Sequence, residues 1–117
     1  MNKIFASSMF LLGAVVSFSA NAKGNIGDGK ALTAKYNCAS CHGVDFNNPT
    51  NSSYPKLAGQ HSDYLEHALV SYQRGADGVN GRGNAIMGAM AKSLSHKDMA
   101  DIAAYLSSLQ GTLVMVK

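Results

Sequence analysis

A chain of 117 residues with two cysteines excludes a multidomain assembly and a multi-bridge disulfide framework. Its balance is mildly basic, ten Lys and Arg against seven Asp and Glu. Those basic residues are scattered rather than gathered in a stripe, which argues against a nucleic-acid or anionic-membrane footprint.

The chain opens on Met1-Asn2-Lys3, a short positive segment, followed by the apolar and small residues Ile4 to Ala20 and an A-x-A site at Ala20-Asn21-Ala22. This pattern predicts a secretory signal peptide over residues 1–22, cut after Ala22, with residues 23–117 forming one domain in the periplasm. Its strongly apolar part is shorter than the ~20 residues a span needs, and the mature chain is expected to have no membrane span. Removal of Lys3 leaves nine Lys and Arg against seven acids. A domain this small buries only about 60–65% of its unfolded surface, so a large apolar cofactor at its centre would add to a marginal core.

A first helix is predicted from about Asp28, as N-cap, through the helix formers Ala31, Leu32, Ala34 and Lys35 and on into the next motif. That motif is Cys38-Ala39-Ser40-Cys41-His42, which spells C-x-x-C-H, the attachment signature for c-type haem. Two thiols at this spacing can each form a thioether to a haem vinyl group, and His42 is then held under the iron as an axial ligand. The rival readings are weak. A disulfide here would close a tiny loop and staple little. A thioredoxin-like pair expects strands around a βαβ unit, and none is predicted. Zinc would need further ligands, since Cys38 and Cys41 are the only cysteines.

Gly43 to Gly59 has no helical period and carries Asn47, Asn48, Pro49, Asn51, Ser52, Ser53 and Pro55, so it reads as a loop long enough to wrap a haem edge. A second helix is predicted over His61 to Arg74, with Ser62 as N-cap, Leu65, Ala68, Leu69 and Tyr72 as its apolar stripe and Gly75 as its end. Gly75 to Gly83 is a glycine-rich loop without the G-K-[ST] ending of a phosphate loop. The last helix opens on the capping box Ser95-His96-Lys97-Asp98, has Met99, Ile102, Ala103 and Leu106, with Leu109 as a further candidate, as its apolar stripe, and stops at Gly111. The apolar tail Thr112 to Val116 suggests no function.

A haem iron with histidine on one side calls for a second ligand, and a methionine thioether suits electron transfer because it is soft and raises the potential. Met99 falls on the buried stripe of the last helix and Met115 in the tail. Met87 and Met90 remain, in a segment free to fold back over the haem. His61, His67 and His96 read as surface residues, and Tyr36, Tyr64, Tyr72 and Tyr105 as packing residues.

Together these segments resemble the class I c-type cytochromes, most closely the small periplasmic c553-type proteins and single c4 domains. The resemblance rests on Gly29-Lys30-Ala31-Leu32, Cys38 to Gly43, Tyr54-Pro55-Lys56-Leu57-Ala58-Gly59-Gln60, Tyr64-Leu65, Met87 with Met90-Ala91, Leu94-Ser95, and Ile102-Ala103-Ala104-Tyr105-Leu106. It implies an all-α class I cytochrome c fold, about three to four helices wrapped around one covalently bound haem c. It implies thioethers at Cys38 and Cys41, His42 as proximal ligand, and Pro55 as the residue whose carbonyl accepts a hydrogen bond from that histidine. It further implies Met87 as distal ligand, Met90 as a packing residue, and a crossing of the first and last helices near Gly29 and Tyr105. Two departures from many relatives stand out: one extra residue between Gly29 and Cys38, and His96 where an acid is common.

The expected activity is one-electron transfer by a soluble periplasmic monohaem carrier, a monomer and not an enzyme. Its partners would be redox proteins, such as a membrane cytochrome complex, terminal oxidase or dehydrogenase. The rival expectation is a haem c subunit of a periplasmic dehydrogenase complex, and a third is a haem sensor with an open iron site.

Overall fold

The computed structural model describes residues 23–112; the expected signal peptide, residues 1–22, and residues 113–117 of the apolar tail lie outside it. The first helix, α1 (Ile26–Lys35), starts earlier than expected. Its N-cap is Asn25, not Asp28: the Asn25 Oδ1 accepts the Asp28 N–H at 2.9 Å. Asp28 sits instead in the first turn, where an acid faces the positive end of the helix dipole. Nor does α1 run on into the cysteine motif. Asn37 turns to φ +53°, a left-handed conformation that asparagine tolerates better than most residues. The Cys38 N–H then reaches back to the Thr33 carbonyl at 3.0 Å. The motif forms its own single turn, α2 (Ala39–His42), stopped by Gly43 at φ +87°.

The loop from Gly43 to Gly59 is held by its own side chains. Asp45 accepts the N–H groups of Asn47 and Asn48 at 2.9 and 3.0 Å and the Asn48 side-chain amide at 2.7 Å. These bonds, the Asn47 N–H first among them, keep its carboxyl below the ordinary range. Phe46 adopts φ +57°, a strained choice for a bulky side chain. It is stabilised there by burial, by an edge-on contact with Tyr105 at 6.2 Å, and by its carbonyl, which accepts the N–H groups of Leu57 and Ala58.

The next helix is α3 (Ser62–Arg74), whose N-cap is His61 with no side-chain cap bond, in place of the expected Ser62. Gly75 ends it at φ +76°. The segment carrying Met87 and Met90 is not a free strap but a helix, α4 (Ala85–Lys92), begun by Asn84, whose Oδ1 accepts the N–H groups of Ile86 and Met87. The last helix, α5 (His96–Ser108), opens on the expected capping box of Ser95 and Asp98, with His96 as its first residue. It closes at Ser108, short of Gly111, because Leu109 is already extended. The described residues thus form five helices and no strand: all-α as expected, with one helix more than the upper expectation of four.

α1 packs across α5, α3 packs on α5, and α4 packs on α3. The α1–α5 crossing falls at Gly29, where a Cβ would lie 1.9 Å from the Asp101 carbonyl oxygen and 2.8 Å from the Tyr105 Cβ. The extra residue before Cys38 therefore leaves the crossing at Gly29 and Tyr105. Asp101, 2% exposed, ties the same corner together. Its carboxylate accepts the Asn25 N–H at 2.7 Å and the Lys97 ammonium, and Lys97 also reaches Asp28 at 3.3 Å. Burial raises the Asp101 carboxyl, but these two donors outweigh it and hold the group below its ordinary value. Met99, Ile102, Ala103 and Leu106 of α5 meet Phe46, Ala58, Leu65 and Leu94 in one core.

Candidate haem site

Beside that core lies a cavity of about 530 Å³, within the range of ligand pockets. Cys38, Cys41, His42, Pro55 and Met87, drawn from α2 and its N-cap, the long loop and α4, all line it. Leu65 and Leu69 of α3 and Ile102 and Leu106 of α5 supply apolar wall.

His42 ends the one-turn helix α2 and is 6% exposed. Its Nδ1 lies 2.9 Å from the Pro55 carbonyl oxygen. A carbonyl can only accept, so Nδ1 carries a proton and Nε2 is the nitrogen left for a ligand. Such a bond sets the tautomer and raises the basicity of a ligating histidine. The Tyr54 ring stands 6.3 Å from the imidazole, tilted by 50°.

The two cysteines are not joined to each other in a disulfide, and both are half-buried. Burial, ahead of the neighbouring Cys41, pushes the Cys38 thiol up, which outweighs a backbone hydrogen bond acting the other way. Met87 and Met90 are three residues apart on α4 and so share a face, and both line the cavity. Among the described histidines only His42 lines it; His61, His67 and His96 are exposed. The donor set fits covalent haem: paired thiols, a buried imidazole with its second nitrogen engaged, thioethers and apolar walls in one cavity.

Two parts of the site escaped the sequence reading. One is α4, whose signal was Asn84 ahead of an Ala- and Met-rich run, masked by Gly83 and Gly88 on either side of its start. The other is a cluster at the cavity. Tyr36 and Tyr105 pack on the core as expected, and Tyr36 also lines the cavity; Tyr64 and Tyr72 line it as well, with the Arg82 guanidinium 5.6 Å from each of their rings.

A sequence model of the family described as cytochrome c matches residues 26–110. This chain belongs to the cytochrome c family. The cytochrome is similar to cytochrome c4 of Stutzerimonas stutzeri, 38% identical over 118 residues that cover 97% of this chain and 53% of that one. It is also similar to cytochrome c-554(548) of Halomonas halodenitrificans, 46% identical over 72 residues, 61% of this chain and 82% of that one. Among solved structures it resembles reduced recombinant cytochrome c4 from Pseudomonas stutzeri, with a TM-score of 0.67 and 39% identity over 77% of this chain and 48% of that one. The cytochrome therefore spans about half the length of these c4 proteins. Its fold is that of the class I cytochromes, and its cofactor is covalently bound haem c, with Cys38 and Cys41 fitting the C-x-x-C-H motif.

Proposed function

We propose that this cytochrome is a one-electron carrier between redox proteins, with haem c held by thioethers to Cys38 and Cys41 and ligated by His42 and Met87. The observation that carries the reading is one cavity lined by all five predicted residues, with His42 already bonded to Pro55 at 2.9 Å. Bound haem supplies a one-electron Fe(III)/Fe(II) couple. The protein's residues do the rest. Pro55 holds the Nδ1 proton of His42, which leaves Nε2 free to ligate in both redox states. Met87, on a helix begun by Asn84, brings a soft thioether that favours Fe(II) and keeps small molecules off the iron. Leu65, Leu69, Ile102 and Leu106 exclude water. Ligation by His42 and Met87 together would leave no position on the iron for a substrate, and the chain would then catalyse no bond change itself.

The same reading takes residues 1–22 as a cleaved signal peptide, residues 23–117 as a monomeric periplasmic domain, and redox proteins as transient partners. Among the described residues no helix is long and apolar enough to cross a membrane. Met90 shares the cavity face, so the ligand assignment needs its own test. Met87→Ala is expected to abolish the weak far-red band of the ferric holoprotein, lower its midpoint potential and open the reduced iron to CO. Persistence of the band in that variant, with its loss in Met90→Ala, would assign the ligand to Met90. Rapid CO binding to the unmodified reduced protein would favour an open-site sensor. Co-elution of a dehydrogenase with the cytochrome from periplasmic extract would favour the subunit reading over the free carrier.

A further inference from the structure

The glycine-rich loop between α3 and α4 is not used by the reading above. It is built from two linked turns. In the first, Gly75 to Gly78, the Gly78 N–H donates to the Gly75 carbonyl at 3.2 Å; in the second, Gly78 to Gly81, the Gly81 N–H donates to the Gly78 carbonyl at 2.9 Å. Asn80 is the third residue of the second turn and stands at φ +54°, which asparagine tolerates better than most residues. Asn80 is exposed, whereas Gly81 behind it is wedged: a Cβ there would lie 1.8 Å from the Gly75 carbonyl oxygen. The Arg82 N–H then ties the loop back to α3 through the Ser71 carbonyl at 2.9 Å.

Asn80-Gly81 is the one Asn-Gly pair in the chain. In such a pair the glycine's backbone nitrogen can attack the asparagine side-chain carbonyl carbon, because no side chain on the glycine shields it. The new C–N bond closes a cyclic succinimide, the old C–N bond breaks and ammonia leaves. Water then opens the ring at either carbonyl. One opening gives aspartate; the other gives an isoaspartyl link, in which the side-chain methylene becomes part of the main chain. The first step needs the Gly81 nitrogen to lose its hydrogen and to turn toward Asn80. Here that hydrogen is held by the Gly78 carbonyl, and the Gly75 carbonyl blocks the turn.

We propose that Asn80-Gly81 is a deamidation site, which the two linked turns lock in the folded cytochrome and release whenever the loop opens. This holds whichever methionine ligates the iron. The two products differ in consequence. Aspartate at position 80 fits the loop, since it tolerates positive φ much as asparagine does and the position is exposed. The isoaspartyl link adds one methylene to the main chain just before Gly81, where the Gly75 carbonyl leaves no space. A loop so lengthened cannot remake the Gly81 and Arg82 backbone bonds together. The loop runs on to Asn84, the cap of α4, so the change loosens the start of a helix that forms one wall of the cavity. Time spent unfolded is thus written into the chain as a local defect that refolding does not erase.

The test incubates the holocytochrome at mildly alkaline pH, folded and in guanidinium, and follows each asparagine by peptide mass and isoaspartate content. In denaturant, conversion at Asn80 should outpace that at every other asparagine. In the folded protein it should be at least about tenfold slower than in denaturant, the suppression that even a modest local opening free energy gives. A smaller difference overturns the lock, and an Asn80 no faster than the other asparagines in denaturant overturns the site. Hydrogen exchange supplies a check that needs no variant. The Gly81 amide of the folded protein should be protected by a factor similar to the slowing of Asn80, because both wait for the same opening. Slowing without protection of that amide overturns the two turns as its cause. Asn80→Asp separates charge from chain length. The refolded isoaspartyl form should be cut by trypsin after Arg82 at least about tenfold faster than the unmodified protein, as a larger open population dictates, and Asn80→Asp at nearly the unmodified rate. Equal rates for the isoaspartyl form and Asn80→Asp overturn the lasting defect.

Discussion

Where α1 crosses α5, a Cβ on Gly29 would sit 1.9 Å from the Asp101 carbonyl oxygen; where α4 meets α3, a Cβ on Gly88 would sit an ordinary 3.6 Å from the Tyr72 carbonyl oxygen. The first contact is backbone against backbone and is closed further by the buried Asp101, which accepts the Asn25 N–H and the Lys97 ammonium. The second is held by side-chain hooks. The Gln73 amide donates to the carbonyls of Ala91 and Leu94 at 2.9 and 2.8 Å, and Asn84 caps the other end of α4. The difference teaches which part of the cytochrome is frame and which part is adjustable. The α1–α5 corner carries none of the proposed ligands and tolerates no added atoms. The α4 wall carries Met87 and is pinned at its ends, which sets the thioether's position without burying the helix.

Three changes bear on that contrast. Gly29→Ala should be the most damaging, because its neighbours are backbone and cannot rotate away; overpacking of this kind costs about 3 kcal/mol or more. A melting temperature close to that of the unmodified protein would show that the corner is looser than its geometry. Asp101→Asn comes next. It replaces a buried carboxylate with two charge-assisted or backbone partners by a neutral amide, at a cost of about 1.5–3 kcal/mol. The sign of the pH effect follows from the lowered carboxyl. The unfolded group titrates near ~3.9, so its contribution is present above that pH and is lost as pH falls through the lower folded value. Acid unfolding curves should therefore converge for Asp101→Asn and the unmodified protein at low pH and diverge near neutrality; parallel curves would rule out Asp101 as the linked group. Smallest, and opposite in direction, is Gly88→Ala. It replaces a mid-helix glycine where there is room, so α4 should gain about 0.5–1 kcal/mol with the far-red band intact. A loss of stability there would mean that α4 packs on α3 as closely as α1 does on α5.

Local chemistry was readable without coordinates wherever it depends on neighbours in the chain. The capping box at Ser95 and Asp98, the stripe of Met99, Ile102, Ala103 and Leu106, and the C-x-x-C-H turn are all set within a few residues. Boundaries fared worse where two polar residues competed for one role: Asn25 displaced Asp28 as N-cap, since the helix could begin earlier once Asp101 reached over to bond the Asn25 N–H. The break at Asn37 was hidden because a left-handed residue leaves no periodic trace. Helix α4 was hidden by Gly83 before it and Gly88 within it; the weak propensity of Gly88 is offset by hydrogen bonds from Gln73, eighteen and twenty-one residues away from its targets.

The sequence by itself determined the all-α class, the family, and the C-x-x-C-H motif at Cys38 and Cys41 that marks covalent haem, because those follow from residue type and short spacing. The tertiary structure gave the expected His42 to Pro55 carbonyl bond its distance, and it alone decided that Met87 and Met90 both line the cavity from a helix and that Arg82 stands 5.6 Å from each of two tyrosine rings beside it. Each of these depends on groups brought together by packing across loops, and the distance at which a hydrogen bond or a cation–π contact acts is far shorter than the stretch of chain between its partners.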